Sequence, residues 1–368
     1  MTPFDVLAMI APFLGMIVLL VGIHEAGHYL AARSVGIVPE EFAVGMGPLV
    51  VSRIDRRGCR WSLRAYPIGG FVRFKGDSDG SSASGREGLR ASVPASEHRE
   101  YYHLRGPGAR AFVLFAGPAV NLAFGWALLV ALFMTVGYST QPAVVEAVTP
   151  GGPAAEAGLV PGDRIVRMDG VRIERFRQVQ EEAALHPGRT FSVEVVRDGE
   201  PVVIDVTTDT VTMDAYGQPQ RIGRLGVEAA PLVLERLGPV DASYYAVVTV
   251  AQTARMTVTT VAQLVTGRRG LDGMGGPVRI GAMAHEAVGM GLIVFVSLTA
   301  AVSMAIGLTN LLPIPLLDGG GIAICAVEAV RREPLGERTM RWVHAAGIAS
   351  VGTLFVVLTV NDVVALIG

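Results

Sequence analysis

The chain has 368 residues, 51% of them hydrophobic and 17% charged, with a formal net charge of −2. That balance argues against a nucleic-acid binder, which would carry a basic stripe or face, and points to a protein housed largely in a bilayer. Cys59 and Cys325 are far apart and neither belongs to a C-x-x-C pair, so no disulfide framework and no cysteine metal site is expected.

The first predicted element is a membrane helix over residues 1–35. Val6 to Ile23 carries no charge, close to the ~20 apolar residues that cross a hydrocarbon core. The run lacks a basic leader and continues into His24-Glu25-Ala26-Gly27-His28, so it is not expected to be a cleaved signal peptide. On a helix, H-E-x-x-H places two imidazoles at i and i+4 on one face. There they can grip one Zn²⁺ while the glutamate serves as general base toward a water. Ionisable side chains at membrane depth are costly and mark function. The expectation is hydrolysis of a peptide bond inside a bilayer.

Residues 36–75 read as strands with turns: Phe42 to Gly47, Arg60 to Tyr66, and Phe71 to Phe74 after Pro67-Ile68-Gly69-Gly70. Residues 76–108 are predicted to be a flexible loop, and 109–138 a second span. Residues 139–230 have the pattern of a compact α/β module. Val144 to Val148 and Arg164 to Met168 are strands, Asp169-Gly170 a hairpin turn, Arg177 to Leu185 a helix, and Thr190 to Val196 pairs with Val202 to Thr207 across Asp198-Gly199. Residues 231–286 are predicted as an amphipathic interfacial segment, because Gln252, Arg255, Gln263 and many threonines interrupt 242–265. A third span covers 287–330, uncharged to Leu317 and broken by Pro313 and Pro315; a fourth covers 338–368.

Arg33 to Arg110 holds thirteen Lys and Arg residues, and Arg331, Arg332, Arg338 and Arg341 lie between the last two spans. Both loops should be cytoplasmic by the positive-inside rule, which puts the termini and residues 139–286 outside. The result is a polytopic α-helical membrane protein of about four spans, with a cytoplasmic-side β-hairpin and an extracytoplasmic α/β domain.

Two histidines leave a catalytic zinc site short of a third protein ligand. Asp318, in Asn310-Leu311-Leu312-Pro313-Ile314-Pro315-Leu316-Leu317-Asp318-Gly319-Gly320, is the best candidate. It has no basic neighbour in sequence, and a bare carboxylate at depth must be paired, protonated or metal-bound. Pro313 and Pro315 unwind the helix beside it, which is tolerated only inside protein or against a watery cavity. Both motifs fall toward the inner ends of spans that start outside.

These two motifs resemble those of the site-2 protease family of intramembrane zinc metalloproteases. Phe115-Ala116-Gly117-Pro118-Ala119-Val120-Asn121, Pro67-Ile68-Gly69-Gly70-Phe71-Val72 and Gly275-Gly276-Pro277-Val278 resemble its bacterial RseP-like branch, and Pro161-Gly162-Asp163-Arg164-Ile165 that branch's PDZ domain. The resemblance implies one Zn²⁺ per chain on His24, His28 and Asp318, and Glu25 as catalytic base. It implies Asn310 as substrate-binding, Asn121 as placing the substrate or bracing the site, and residues 36–75 as a cytoplasmic-side membrane-associated β-hairpin region. It implies a multi-pass protein of the bacterial inner membrane with one PDZ domain, at about 140–229, outside. The expected substrates are single-span membrane proteins of the anti-sigma-factor type, cut after a first cut outside; remnant signal peptides are a second class. Membrane lipid is a partner and nucleic acid is not. One departure is Gly321, where the family's common pattern has His. It lends its only support to a rival reading, a catalytically inactive PDZ-bearing scaffold. A zinc transporter would want more polar residues along the spans.

Overall fold

The computed structural model describes residues 3–77, 86–215, 218–266 and 276–367. The chain divides into two compact units, Met1–Leu132 with Pro239–Gly368, and Phe133–Gly238. Four helices among the described residues are long and apolar enough to cross a membrane: Ile10–Ser34, Pro107–Thr135, Leu292–Asn310 and Arg338–Asp362.

In the first unit, α1 (Pro3–Ser34) carries the HEAGH segment near its end. Strands β1 (Pro39–Ile54) and β2 (Arg60–Phe74) follow. Their pairing is richer than the expected hairpin. Residues 41–44 of β1 pair antiparallel with 70–73 of β2 and, on their other edge, run alongside 60–63, which in turn pair with 51–54. Both strands therefore bend back on themselves. Gly45 and Gly47, with φ of 87° and 81°, make the bend in β1, where a Cβ would strike the Tyr66 carbonyl and ring. One buried carboxylate ties the layers. Glu41, 1% exposed, accepts from the Ser62 hydroxyl at 2.7 Å, from Arg64 at 2.7 Å and from Arg73 at 2.6 Å. Burial alone would raise its pKa, but these donors outweigh burial and hold it below the usual range. Toward the 51–54 strand the sheet leaves Leu49, Val50, Val51, Ile54 and Trp61 exposed, a patch suited to lipid.

The segment expected to be a flexible loop is partly built. Residues 78–85 lie outside the described residues, but α2 (Arg86–Ser92) and 3₁₀ turns at Ala95–Glu100 and Tyr102–Leu104 follow. Lys75 binds Glu97 and Glu100, Val38 N–H donates to the Glu100 carbonyl, and Tyr102 stacks on Phe74. These contacts join charged side chains across the disordered-looking composition, which composition alone does not reveal. Next comes α3 (Pro107–Thr135).

The second unit begins with β3 (Tyr138–Thr140), β4 (Val145–Val148) and α4 (Pro153–Ala157). A four-stranded antiparallel sheet follows in the order β6-β5-β7-β8, formed by β5 (Arg164–Met168), β6 (Val171–Arg172), β7 (Thr190–Arg197) and β8 (Glu200–Thr207). Helix α5 (Phe176–Leu185) lies between β6 and β7 in sequence. Two hairpin-like pairs, β9 (Asp209–Ala215) with β10 (Gln218–Arg224) and β4 with β11 (Val227–Ala229), and β12 (Val233–Glu235) on β3, complete it. Its core is Val145, Leu159, Ile165, Val179, Phe191, Val193 and Val206 with their neighbours. Asp163, fully buried, receives two hydrogen bonds from Arg197 and one from the Val160 amide, pinning the Pro161-Gly162 turn.

The first unit resumes with α6 (Pro239–Val265), which is not among the helices apolar enough to span. Helix α7 (Pro277–Met290) begins at the Gly276-Pro277-Val278 motif, whose Gly275 lies outside the described residues. Its first amides at Gly276 and Arg279 donate to Asp362. Helix α8 (Leu292–Asn310) starts five residues later than the expected third span, because Gly291, with φ of 111°, ends α7. The Pro313-Ile314-Pro315 turn separates α8 from α9 (Asp318–Arg331), and α10 (Glu337–Ile367) closes the chain. Helices α3 and α8 meet through small residues. A Cβ on Gly307 would lie 2.9 Å from the Pro118 carbonyl and one on Gly125 3.1 Å from the Ala300 carbonyl, while Ser303 Oγ donates to the Asn121 carbonyl at 2.8 Å.

Candidate metal centre and peptidase site

Two neighbouring glycines set the site's geometry. A Cβ on Gly27 would fall 2.6 Å from the Ala116 carbonyl and 2.9 Å from Gly117 Cα, so α1 and α3 cross with their backbones in contact. A Cβ on Gly117 would sit against His28 Nε2 and Cε1, and 2.9 Å from His24 Nε2. The two histidines, with their rings nearly perpendicular, thus rest their edges against a bare stretch of α3. Their Nε2 atoms are 3.1 Å apart.

The third side chain arrives from α9. Asp318 is that helix's first residue, and Oδ2 lies 3.0 Å from His24 Nε2 while Oδ1 lies 3.4 Å from His28 Nε2. The two glycines after Asp318 make this possible. A Cβ on Gly319 would collide with the carbonyls of Leu311 and Leu312, and one on Gly320 with that of Ile314. The proline turn folds onto the first turn of α9 only because both positions lack side chains. Leu316 adopts φ of 79° within that turn, and Gly347 of α10 packs on Pro315.

The donor set fits a zinc ion. Ligand atoms of His24, His28 and Asp318 all lie within 4.8 Å of one another. Asp318 Oδ2 is buried and, despite its closeness to His24, accepts no hydrogen bond. Lone pairs that converge without donors between them are what a cation satisfies. The ring orientations agree. His28 Nδ1 lies 2.8 Å from the Val113 carbonyl, to which an Nδ1–H donates, leaving Nε2 for metal. The Asn121 carboxamide lies 3.4 Å from His24 Nδ1.

A cavity of about 390 Å³ opens on these groups, lined by His24, Glu25, His28, Asn310 and Asp318, with Gly69 to Val72 forming one wall. Glu25 is 8% exposed, and a Cβ on Gly70 would reach its Cγ at 3.0 Å. Asn310, the last residue of α8, is half-buried in the wall, and its carboxamide makes no hydrogen bond to the described residues. Asn121 is fully buried behind His24 and is not part of the lining. Gly321 faces Leu114 of α3, where a Cβ would lie 2.7 Å from Cδ1, so the departure from the usual His sits in a helix contact. Val113 was invisible as a site residue, and Gly117 and Gly70 stood out only as members of motifs, since a glycine opposite a metal motif leaves no chemical signature of its own.

A family model described as Peptidase family M50 matches residues 12–354. The chain belongs to peptidase family M50. A relative from Agrobacterium fabrum with a provisional zinc-metalloprotease name is 34% identical over 364 residues, covering 98% of this chain and 96% of that one. Metalloprotease MmpA of Caulobacter vibrioides is 31% identical, covering 97% and 95%. Zinc metalloprotease RasP of Geobacillus kaustophilus is 27% identical, covering 98% of both. This M50 chain is a zinc metalloprotease, and its four apolar helices make it a membrane protein.

Proposed function

We propose that the chain is an intramembrane endopeptidase of the RseP-like branch, with one zinc ion held by His24, His28 and Asp318. The convergence of those ligand atoms beside Glu25, in a cavity walled by the edge of a β-sheet, carries this reading. Zinc bound there supplies Lewis acidity toward a scissile carbonyl and lowers the pKa of a water at the site. The protein's own groups do the rest. Glu25 takes the proton of the attacking water and returns it to the leaving amine. The free Asn310 carboxamide donates to the substrate backbone or to the developing oxyanion. Val113 fixes His28, and the Asn121 carboxamide, whose Nδ2 lies 3.4 Å from His24 Nδ1, backs the other ring.

A helical substrate hides its peptide bonds, so it must be extended before attack. Residues 70–73 pair with β1 along one edge, and the neighbouring 69–72 backbone faces the cavity. Strand addition there would present an unwound segment to Glu25. The substrate class is a single-span membrane protein of the anti-sigma-factor type already cut outside, with remnant signal peptides a second class. The second unit, whose Pro161-Gly162-Asp163 turn is pinned by Arg197, is read as a PDZ domain that docks or filters such substrates on the outer face. The arginine-rich loops support a site toward the cytoplasmic side of a bacterial inner membrane. Glu25→Gln tests the mechanism. In membranes carrying a tagged single-span substrate, cleavage should stop while the protein keeps its zinc; undiminished cleavage would overturn the assignment, and loss of cleavage and zinc together would move Glu25 to a structural role.

A further inference from the structure

Arg110 and Glu328 form an ion pair between α3 and α9, and each side chain is 7% exposed. Neither belongs to the cavity. We propose that this pair positions Asp318 for zinc, fixing α9 against the helix that also fixes the histidines.

Asp318 opens α9 and has no side-chain cap before it. Glu328 lies ten residues on, about 15 Å along the helix at ~1.5 Å per residue. The far end of α9 is held there. Glu328 takes Arg110 on Oε2, its Oε1 accepts from the Leu335 amide at 3.1 Å, and its carbonyl accepts from the Arg332 amide at 2.8 Å. Arg110 in turn stands three residues before Val113, which fixes His28, and seven before Gly117, against which both histidines rest. One helix thus frames all three ligands: the histidines directly, and Asp318 through the ion pair and the Gly321–Leu114 contact between its two ends. A buried ion pair tolerates little slippage, since either charge left alone is strongly disfavoured. Arg110 and Glu328 are positioning residues, and the inference rests on the ligand reading above.

The test uses the full-length protein in detergent. Zinc affinity is read by competition with a chromophoric chelator, and ligand geometry by the visible spectrum after cobalt replacement. Glu328→Gln keeps the shape and the Leu335 hydrogen bond; Arg110→Met removes the other charge. Each should weaken zinc binding roughly ten- to a hundred-fold, the range for groups that orient ligands, and dim the tetrahedral cobalt bands. The exchanged pair, R110E with E328R, should recover at least half of that loss on a logarithmic scale. Folded Glu328→Gln protein that binds zinc as wild type does, or an exchanged pair no better than the single variants, would overturn the proposal. Asp318→Ala in parallel separates the two readings. If it keeps wild-type zinc affinity, the ligand assignment itself fails; if it alone loses zinc, only the positioning role does.

Discussion

Replacing Gly117 with alanine should disable the site without replacing a ligand. The added methyl would lie against His28 Nε2 and Cε1 and 2.9 Å from His24 Nε2. Against an ordinary heavy-atom contact of about 3.5 Å, the overlap at His24 is roughly 0.6 Å, and it is larger at His28. The rings cannot retreat far, since Val113 holds His28 at 2.8 Å and Asn121 backs His24. Relief must come from α1 and α3 separating, which the Gly27 contact makes rigid. A shift of about 1 Å in reacting groups costs on the order of 10²-fold in rate, or ~2.7 kcal/mol of transition-state stabilisation. Cleavage of a single-span substrate should therefore fall at least that far, with weaker zinc retention. Gly15→Ala, on α1 away from the crossing, is the control, because a Cβ there meets nothing within 4 Å; it should stay within about twofold, as expected of a substitution that only raises helix propensity. Wild-type cleavage and zinc retention by Gly117→Ala would refute the packing argument.

Asn121→Ala should lower zinc affinity about ten- to a hundred-fold by freeing the His24 ring, measured by chelator competition. Glu41→Ala leaves Arg64 and Arg73 facing each other over a buried position. Because both arginines are partly exposed, the expected loss is of order 2 kcal/mol rather than that of a fully buried pair, read as a lower melting midpoint. Burial would raise the Asp163 pKa, but Arg197 and the Val160 amide outweigh it and bring the net value down. A depressed carboxylate contributes stability that is present above its unfolded pKa of about 3.9 and is lost as pH falls through the folded value. Wild-type melting should therefore drop on acidification below about pH 4, and Asp163→Asn, already destabilised at neutral pH, should show a flatter acid limb.

Much of the site was legible because its chemistry is local in sequence. H-E-x-x-H needs only helical spacing to bring His24 and His28 together, and Asp318 announces itself as a carboxylate after an apolar run with a proline break. The β-sheet was harder. Alternation marks residues 42–47, 60–66 and 71–74 as strands, but not that 41–44 pairs on both edges, since that depends on bends at Gly45 and Gly47. The third span was placed too early because Val, Ala and Met continue across residue 291, and only the positive φ of Gly291 divides α7 from α8. The order in residues 86–104 comes from long-range pairs such as Lys75 with Glu97 and Glu100, which a Gly- and Ser-rich composition conceals. The supports of the site, Gly117, the Val113 carbonyl and the Arg110–Glu328 pair, act through distance between helices. The one acid of α9 besides Asp318 and the one base in α3 were the only hints of that pair.

The central claim is that two histidines and one aspartate from two distant stretches of chain hold the zinc beside Glu25. X-ray absorption at the zinc edge of the full-length protein tests it most directly. The account predicts a first shell of nitrogen and oxygen only, with imidazole scattering, and loss of that bound-zinc signal in Asp318→Ala. Sulfur in the first shell, or an unchanged zinc signal in Asp318→Ala, would contradict it.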